Sequence, residues 1–179
     1  HYVGLDHTLG LADSLALNSK VKYFNAQENG NAINLDSQNV GVLETLKYKN
    51  HSLGVGYQQI IGHAYPLLDG FLPEPYFINW NVTGFAKEEE KSYHVIYAYN
   101  FKDQIPGLNT IAKYSYGTDI KMANGQENKE TELDLILSYN VQYPMLKGVG
   151  VQYMFVDYNV DHGNDFQENR AFLTYTKKF

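Results

Sequence analysis

The sequence has no cysteine, a single arginine and no apolar run long enough for a transmembrane helix. The absence of cysteine excludes disulfide frameworks and zinc–thiolate sites. A helical span needs about 20 consecutive apolar residues, whereas the mean hydropathy of this chain is −0.41. The net charge of −6 and the lack of a basic stripe argue against nucleic-acid binding. A membrane protein built from strands is not excluded, because a barrel strand needs only about 9–11 residues.

The sequence is rich in tyrosine, and in several segments apolar and polar residues alternate with a period of two. The 16 tyrosines exceed the needs of a small core, and the interfacial belts of a membrane barrel accommodate such a surplus. Within 131–142, Leu133 and Leu135 fall on one face, and Glu132 and Asp134 fall on the other. A strand separates these side chains in this way, whereas a helix would scatter the carboxylates around its axis. The alternation predicts about nine strands: 1–9, 14–25, 38–49, 52–61, 91–101, 108–120, 130–142, 148–159 and 168–179.

The connections between these strands alternate between short and long. The short ones are Gly10–Asp13, Lys49–His51, Asp103–Gly107 and Tyr143–Gly148, and the long ones are Gln27–Ser37, Gly62–Glu90, Lys121–Lys129 and Val160–Gln167. Outer-membrane barrels have short periplasmic turns and longer external loops, and a soluble sandwich has no reason to sort its connections this way. We therefore predict an all-β fold, an antiparallel transmembrane β-barrel, with the long connections facing out of the cell.

Two features of the strand pattern need an explanation. Bacterial single-chain barrels generally have an even number of strands, and an open sheet in lipid would leave unpaired edges. We therefore expect residues 1–179 to be the C-terminal part of a single larger barrel domain. The chain begins at His1 rather than at a methionine, which suits a processed or truncated product. In the segment 38–49, Glu44 falls on the apolar face unless a β-bulge resets the register.

The last strand, 169–179, resembles the C-terminal signal that the outer-membrane assembly machinery binds. It ends in Phe179, and apolar residues alternate back from there through Tyr175 and Leu173. Lys177 departs from the signal, but a lysine at the membrane interface can extend its amine into water. Phe179 is thus the expected contact with the barrel assembly machinery.

At several further segments the chain resembles the OprD-type porins, the substrate-selective channels of the bacterial outer membrane. These segments are Glu90–His94, Tyr97–Phe101, Ile105–Leu108, Lys113–Asp119, Glu130–Asp134, Leu146–Val149 and Glu168–Arg170, with Tyr57–Gln59 matching more loosely. The resemblance implies an eighteen-stranded barrel, of which this chain supplies the second half and a missing N-terminal half supplies the rest. It also implies inward-folded loops at a constriction and a ladder of basic residues that guides carboxylate-bearing solutes by electrostatic focusing. We expect passive diffusion of solutes with no enzymatic step and no cofactor.

The expected pore-lining residues follow from the resemblance and from strand parity. Arg170 matches a basic position of the family's ladder, whereas Gln152 and Met154 stand where the family often has arginines. We therefore expect a depleted ladder, for which inward-facing lysines could compensate and against which Glu132 and Asp134 could set a transverse field. The predicted solute path is Lys20, Lys22, Lys113, Glu132, Asp134, Gln152, Met154 and Arg170.

The long connection Gly62–Glu90 is rich in proline and aromatic residues. A flexible loop would be more polar, so we expect this connection to pack into the barrel mouth and to help set the pore size. A role in protein contacts or in a homotrimer is the alternative. Small hydrophilic solutes and outer-membrane lipid or lipopolysaccharide are the other expected partners.

Three further hypotheses remain open from the sequence. A lipid hydrolase would need a serine activated by a histidine, and His94 is the candidate histidine. A calcium site would need converging oxygen ligands, for which the chain offers Asp157, Asp161, Asn164 and Asp165. A structural or adhesive barrel with a plugged lumen would show the same polar faces as a pore.

Overall fold

The computed structural model describes residues 1–30, 36–63, 77 and 84–177, and its strands form one antiparallel sheet in sequence order. The nine strands are β1 (Tyr2–Ala12), β2 (Leu15–Gln27), β3 (Asp36–Tyr48), β4 (His51–Gly62), β5 (Lys91–Asn100), β6 (Leu108–Lys121), β7 (Glu127–Asn140), β8 (Val149–Val160) and β9 (Phe166–Tyr175). One turn of 3₁₀ helix, Pro144–Leu146, lies between β7 and β8. Among the described residues, no helix is long and apolar enough to cross a membrane.

The predicted all-β class and the nine strands are confirmed, but the sorting of the connections is not strict. Connections 122–126 and 161–165 are shorter than 101–107 and 141–148, although the pattern predicted the opposite. The reason is that β6 and β7 stay paired past a register shift between Gly117 and Ile120, so residues assigned to the loop belong to strands. We call the end of the sheet with connections 28–35, 63–90, 122–126 and 161–165 the distal end. The predicted contact of Phe179 lies outside the described residues.

The pleat gives the sheet two chemically different faces. On one, the apolar face, large hydrophobic side chains are exposed, such as Val3 (66%), Val55 (51%), Val95 (49%) and Leu135 (42%). An apolar surface of this size is not stable against water and needs contact with lipid or with another apolar surface. The opposite face, the polar face, carries the charged and amide side chains that the alternation predicted.

Glu44 lies on the apolar face, because no β-bulge resets the register of β3. Strand β3 pairs with β2 and with β4 in unbroken register, which places Glu44 opposite Ser19 and Val55. The Ser19 hydroxyl donates a hydrogen bond to Glu44 Oε2 at 2.6 Å. A cross-strand hydroxyl thus satisfies the carboxylate, and no change of register is needed.

Candidate functional site on the polar face

The strand register gathers all eight predicted residues on the polar face. Cross-strand partners share a face, so the pairings define rows that run across the sheet. One row is Lys22, Gly41, Gln58, Ser92, Gly117 and Glu130. The next row away from the distal end is Asp6, Lys20, Leu43, Gly56, His94, Ser115, Glu132 and Tyr158. The third row includes Lys113, Asp134, Val156 and Glu168, the fourth includes Ile136, Met154 and Arg170, and the fifth includes Ser138 and Gln152.

Each of the predicted basic residues that is accessible to solvent on the polar face has a neighbour that interacts with its positive charge. The Lys20 ammonium lies 3.0 Å from Asp6 Oδ2. The Arg170 guanidinium donates to both Glu168 oxygens, at 2.7 Å from Nε and 2.5 Å from Nη2. The polar face therefore carries alternating charges rather than an uninterrupted basic ladder.

Lys22 has an aromatic neighbour instead of an acidic one. Its ammonium lies 4.4 Å from the centre of the Phe77 ring, a cation–π contact. Phe77 belongs to the long connection between β4 and β5. Its ring packs on Gly41, where a Cβ atom would approach Phe77 Cδ2 to 2.7 Å, and its backbone N–H donates to Gln58 Oε1 at 2.8 Å.

A second group of predicted residues is on the polar face but buried. Lys113 is 3% exposed, and Glu132 and Asp134 are completely buried. Lys113 lies directly opposite Asp134 in the β6–β7 pair, so the opposed charges offset part of the cost of burial. These three residues are therefore almost entirely shielded from solvent in this structure.

Met154 and Gln152 differ in exposure, although the alternation predicted both for the solute path. Met154 is 7% exposed and packs with Ile136 and Val156 in a small apolar cluster. These hydrophobic neighbours, one on β7 and one on β8 itself, cover most of its side chain. Gln152 is partly exposed and donates a hydrogen bond to Ser138 Oγ at 3.0 Å.

The end of the long connection, segment 84–90, is attached to the distal part of the sheet. The Phe85 carbonyl oxygen accepts hydrogen bonds from Gln58 Nε2 at 2.9 Å and from Ser92 Oγ at 3.1 Å. The Glu89 N–H donates to the Gly62 carbonyl oxygen, and the Ile60 N–H donates to that of Glu90. With Phe77, these contacts place the described parts of the connection against the polar face.

Sequence reasoning missed the residues that contact the predicted ones. Asp6 and Glu168 share strand parity with Lys20 and Arg170, so the period-two pattern and a hairpin register would have identified them. The contact of Lys87 with Glu130 could not be predicted in this way. Lys87 lies in a connection, where alternation does not tell which face a side chain occupies.

The two chemical alternatives find no support in the geometry. His94 lies opposite Ser115, but the Ser115 hydroxyl has no hydrogen-bond partner among the described residues, so the imidazole does not activate it. Asp157 and Asp165 accept hydrogen bonds from Gln167 and from the Val160 backbone. Within the described ranges, no group of three or more acidic, histidine or cysteine side chains is placed to hold a metal ion.

Comparison with known proteins identifies the family to which this chain belongs. The family model described as outer membrane porin, OprD family, matches residues 1–179. The chain belongs to the OprD family. OprD porins are non-enzymatic channels of the bacterial outer membrane, which accounts for an exposed apolar face behind a charged one. No curated protein sequence matches the chain.

Solved OprD-family structures are similar over nearly the whole chain. OccAB4 of Acinetobacter baumannii is 62% identical with a TM-score of 0.93, and the match covers 100% of this chain and 46% of that one. OpdL of Pseudomonas aeruginosa is 35% identical with a TM-score of 0.92, covering 98% and 50%. OpdQ of the same organism is 32% identical with a TM-score of 0.91, covering 98% and 48%. The chain spans about half the length of these eighteen-stranded barrels.

Proposed function

We propose that this chain forms the second half of a water-filled channel through which small hydrophilic solutes diffuse passively, and that carboxylate-bearing, amino-acid-like solutes are favoured. No chemical step is involved. The polar face would line the passage, and the apolar face would contact lipid.

The observation that carries the proposal is the arrangement of charge on the polar face. Lys20 and Arg170 keep 38% and 32% of their side-chain surface exposed, and each has a carboxylate within 3.0 Å. Opposite charges at this spacing produce a strong local field in a passage with low-dielectric walls. Such a field suits a solute that carries both a carboxylate and an ammonium group, because each end of the solute finds an opposite charge.

The test compares ion selectivity and solute flux in the complete porin that carries this chain. Replacing Lys20, Lys22 and Arg170 together by alanine should lower the anion-to-cation permeability ratio in planar bilayers. It should also slow amino-acid uptake into liposomes more than the uptake of a neutral sugar of similar size. The matched control removes three exposed lysines from the turns at the other end of the sheet: Lys49, Lys102 and Lys147.

Unchanged selectivity and unchanged relative flux in the first triple variant would refute the preference for carboxylate-bearing solutes. Absence of conductance in the unmodified porin would refute the channel itself and favour a plugged barrel.

A further inference from the structure

Segment 84–90 is held in a strained backbone conformation. Phe85 and Glu89 have φ values of +42° and +62°, in a region that residues with a side chain seldom adopt. Such strain persists only where surrounding contacts impose it. The segment is therefore poised to move if the contacts that hold it weaken.

One of these contacts is a pair of buried carboxyl groups, Glu90 and Glu130. Both residues are at most 1% exposed. Glu90 Oε2 accepts a hydrogen bond from the Lys87 backbone N–H at 2.8 Å, and Glu130 Oε2 accepts one from the Tyr158 hydroxyl at 2.5 Å and another from the Lys87 ammonium. The remaining oxygen of each carboxyl group, Oε1, has no donor among the described residues.

Glu90 and Glu130 lie side by side over Gly117, because Glu90 Oε1 and Glu130 Cγ are both among the atoms nearest to the position that a Cβ atom would take there. Two carboxylates cannot donate to one another, and leaving both Oε1 atoms buried without a donor would be costly. A single proton between the groups removes the deficit on both sides. Gly117 leaves the space for this arrangement, because a Cβ atom there would collide with Glu90 Oε1.

We propose that Glu90 and Glu130 share one proton, and that this proton positions segment 84–90 against the polar face, so that its loss at alkaline pH releases the segment into the passage. The consequence for conductance rests on the proposed channel function, whereas the shared proton does not. Glu90 and Glu130 act as positioning residues and are not expected to contact the solute.

Burial, together with the adjacent Glu130 carboxylate, raises the pKa of Glu90 from 4.5 to about 8. A carboxyl group with a raised pKa in the attached state binds more protons there than in the released state. Attachment is therefore strongest at and below pH 4.5, weakens as the pH rises to about 8, and stays weak above that.

The other charged groups around the pair are already engaged. On the segment itself, Glu88 lies 3.0 Å from the Lys121 ammonium of β6, and Glu89 Oε1 accepts from the Gly62 N–H of β4 at 3.1 Å. Lys91 of β5 pairs with Asp119 of β6 at 2.8 Å. Among the described residues, the remaining titratable groups that face the pair are Lys87 on the segment, Glu132 on β7 and Tyr158 on β8.

The first measurement is infrared spectroscopy of the complete porin in detergent between pH 5 and pH 10. The unmodified protein should show the carbonyl stretch of a protonated carboxylic acid at pH 6, and this band should disappear at alkaline pH. Glu90→Gln should remove the band, because the amide donates to Glu130 in place of the shared proton. Glu127→Gln, an exposed glutamate of the distal end, is the matched control and should retain it.

The second measurement is single-channel recording at pH 5 and pH 9. Transient closures of the unmodified porin should become more frequent by about tenfold or more at pH 9, whereas Glu90→Gln should close equally seldom at both values. A spectrum at pH 6 with no band that depends on Glu90 would overturn the shared proton. Closures with the same pH dependence in both proteins would overturn its positioning role.

If Glu90→Gln does not assemble, the unmodified protein still decides the matter. With ¹³C-labelled glutamate, the band must shift with the label and titrate over the same pH range as the closures. A band that does not shift, or that titrates elsewhere, contradicts the proposal. A porin that has the band but does not conduct would refute the channel function and leave the shared proton intact.

Discussion

Gly117 lies directly opposite Glu130 in the β6–β7 pair, and its missing side chain makes room for the Glu90 carboxyl group. A Cβ atom at position 117 would collide with Glu90 Oε1 and would approach Glu130 Cγ to 3.0 Å. Strand interiors disfavour glycine unless another group approaches the backbone closely. This close approach explains a glycine between Ser92 and Glu130 on the polar face.

Gly117→Ala should therefore destabilise the porin by about 1–3 kcal/mol, the usual cost of overpacking a filled site. Its urea unfolding midpoint in lipid vesicles should fall relative to that of the unmodified protein. Gly10→Ala is the matched control, because Gly10 also lies in a strand but a Cβ atom there would have no neighbour within 4 Å. Equal midpoints for Gly117→Ala and the unmodified protein would contradict the close packing around Glu90.

Glu90 should also make stability depend on pH. Its pKa is raised from 4.5 to about 8 by burial and by the Glu130 carboxylate, so the folded state holds a proton that the unfolded state has released. The free energy of unfolding should fall between these values by up to about 1.4 kcal/mol per pH unit. Urea titrations at pH 5, 7 and 9 measure this decline, and Glu90→Gln should flatten it. A decline of the same slope in Glu90→Gln would assign the pH dependence to other groups.

The fold could be predicted because the strand period alone decides which face a side chain occupies. Lys20, Glu132 and Arg170 were assigned to the polar face from parity, and the register places them there. Their surroundings could not be predicted in the same way. Exposure depends on what covers a strand position, and this is why Met154 is buried although its parity is correct.

The carboxyl pair lay beyond sequence reasoning for a different reason. Lys87 and Glu90 belong to a connection, Glu130 to β7 and Tyr158 to β8, and no periodicity links these positions. Glu44 shows a different limit, because parity placed it on the apolar face but could not decide whether a β-bulge would move it to the other face. Ser19, its hydrogen-bond donor, became identifiable only with the β2–β3 register.

The acidic neighbours of Lys20 and Arg170 should restrain anion selectivity. Replacing Asp6 and Glu168 by their amides, Asp6→Asn and Glu168→Gln, removes both negative charges and leaves the two basic groups in place. The anion-to-cation permeability ratio, measured from reversal potentials in a salt gradient, should then rise. The control removes two exposed acids at the distal end of the sheet, Glu127→Gln at the start of β7 with Asp161→Asn in the connection 161–165, and should change the ratio less. An unchanged ratio in the first variant would show that these ion pairs do not face the permeating ions.

The Ser19–Glu44 hydrogen bond on the apolar face should behave as a coupled pair. Ser19→Ala leaves the half-buried Glu44 carboxyl group without its 2.6 Å donor and should cost about 1–3 kcal/mol. Replacing both partners by apolar residues, Ser19→Ala with Glu44→Leu, should restore or exceed the original stability, because a matched apolar pair has no polar group to satisfy. Unfolding in urea of both single variants and the double variant gives the coupling energy. Additive effects of the two substitutions would mean that the hydroxyl does not stabilise the carboxyl group on the lipid-facing side.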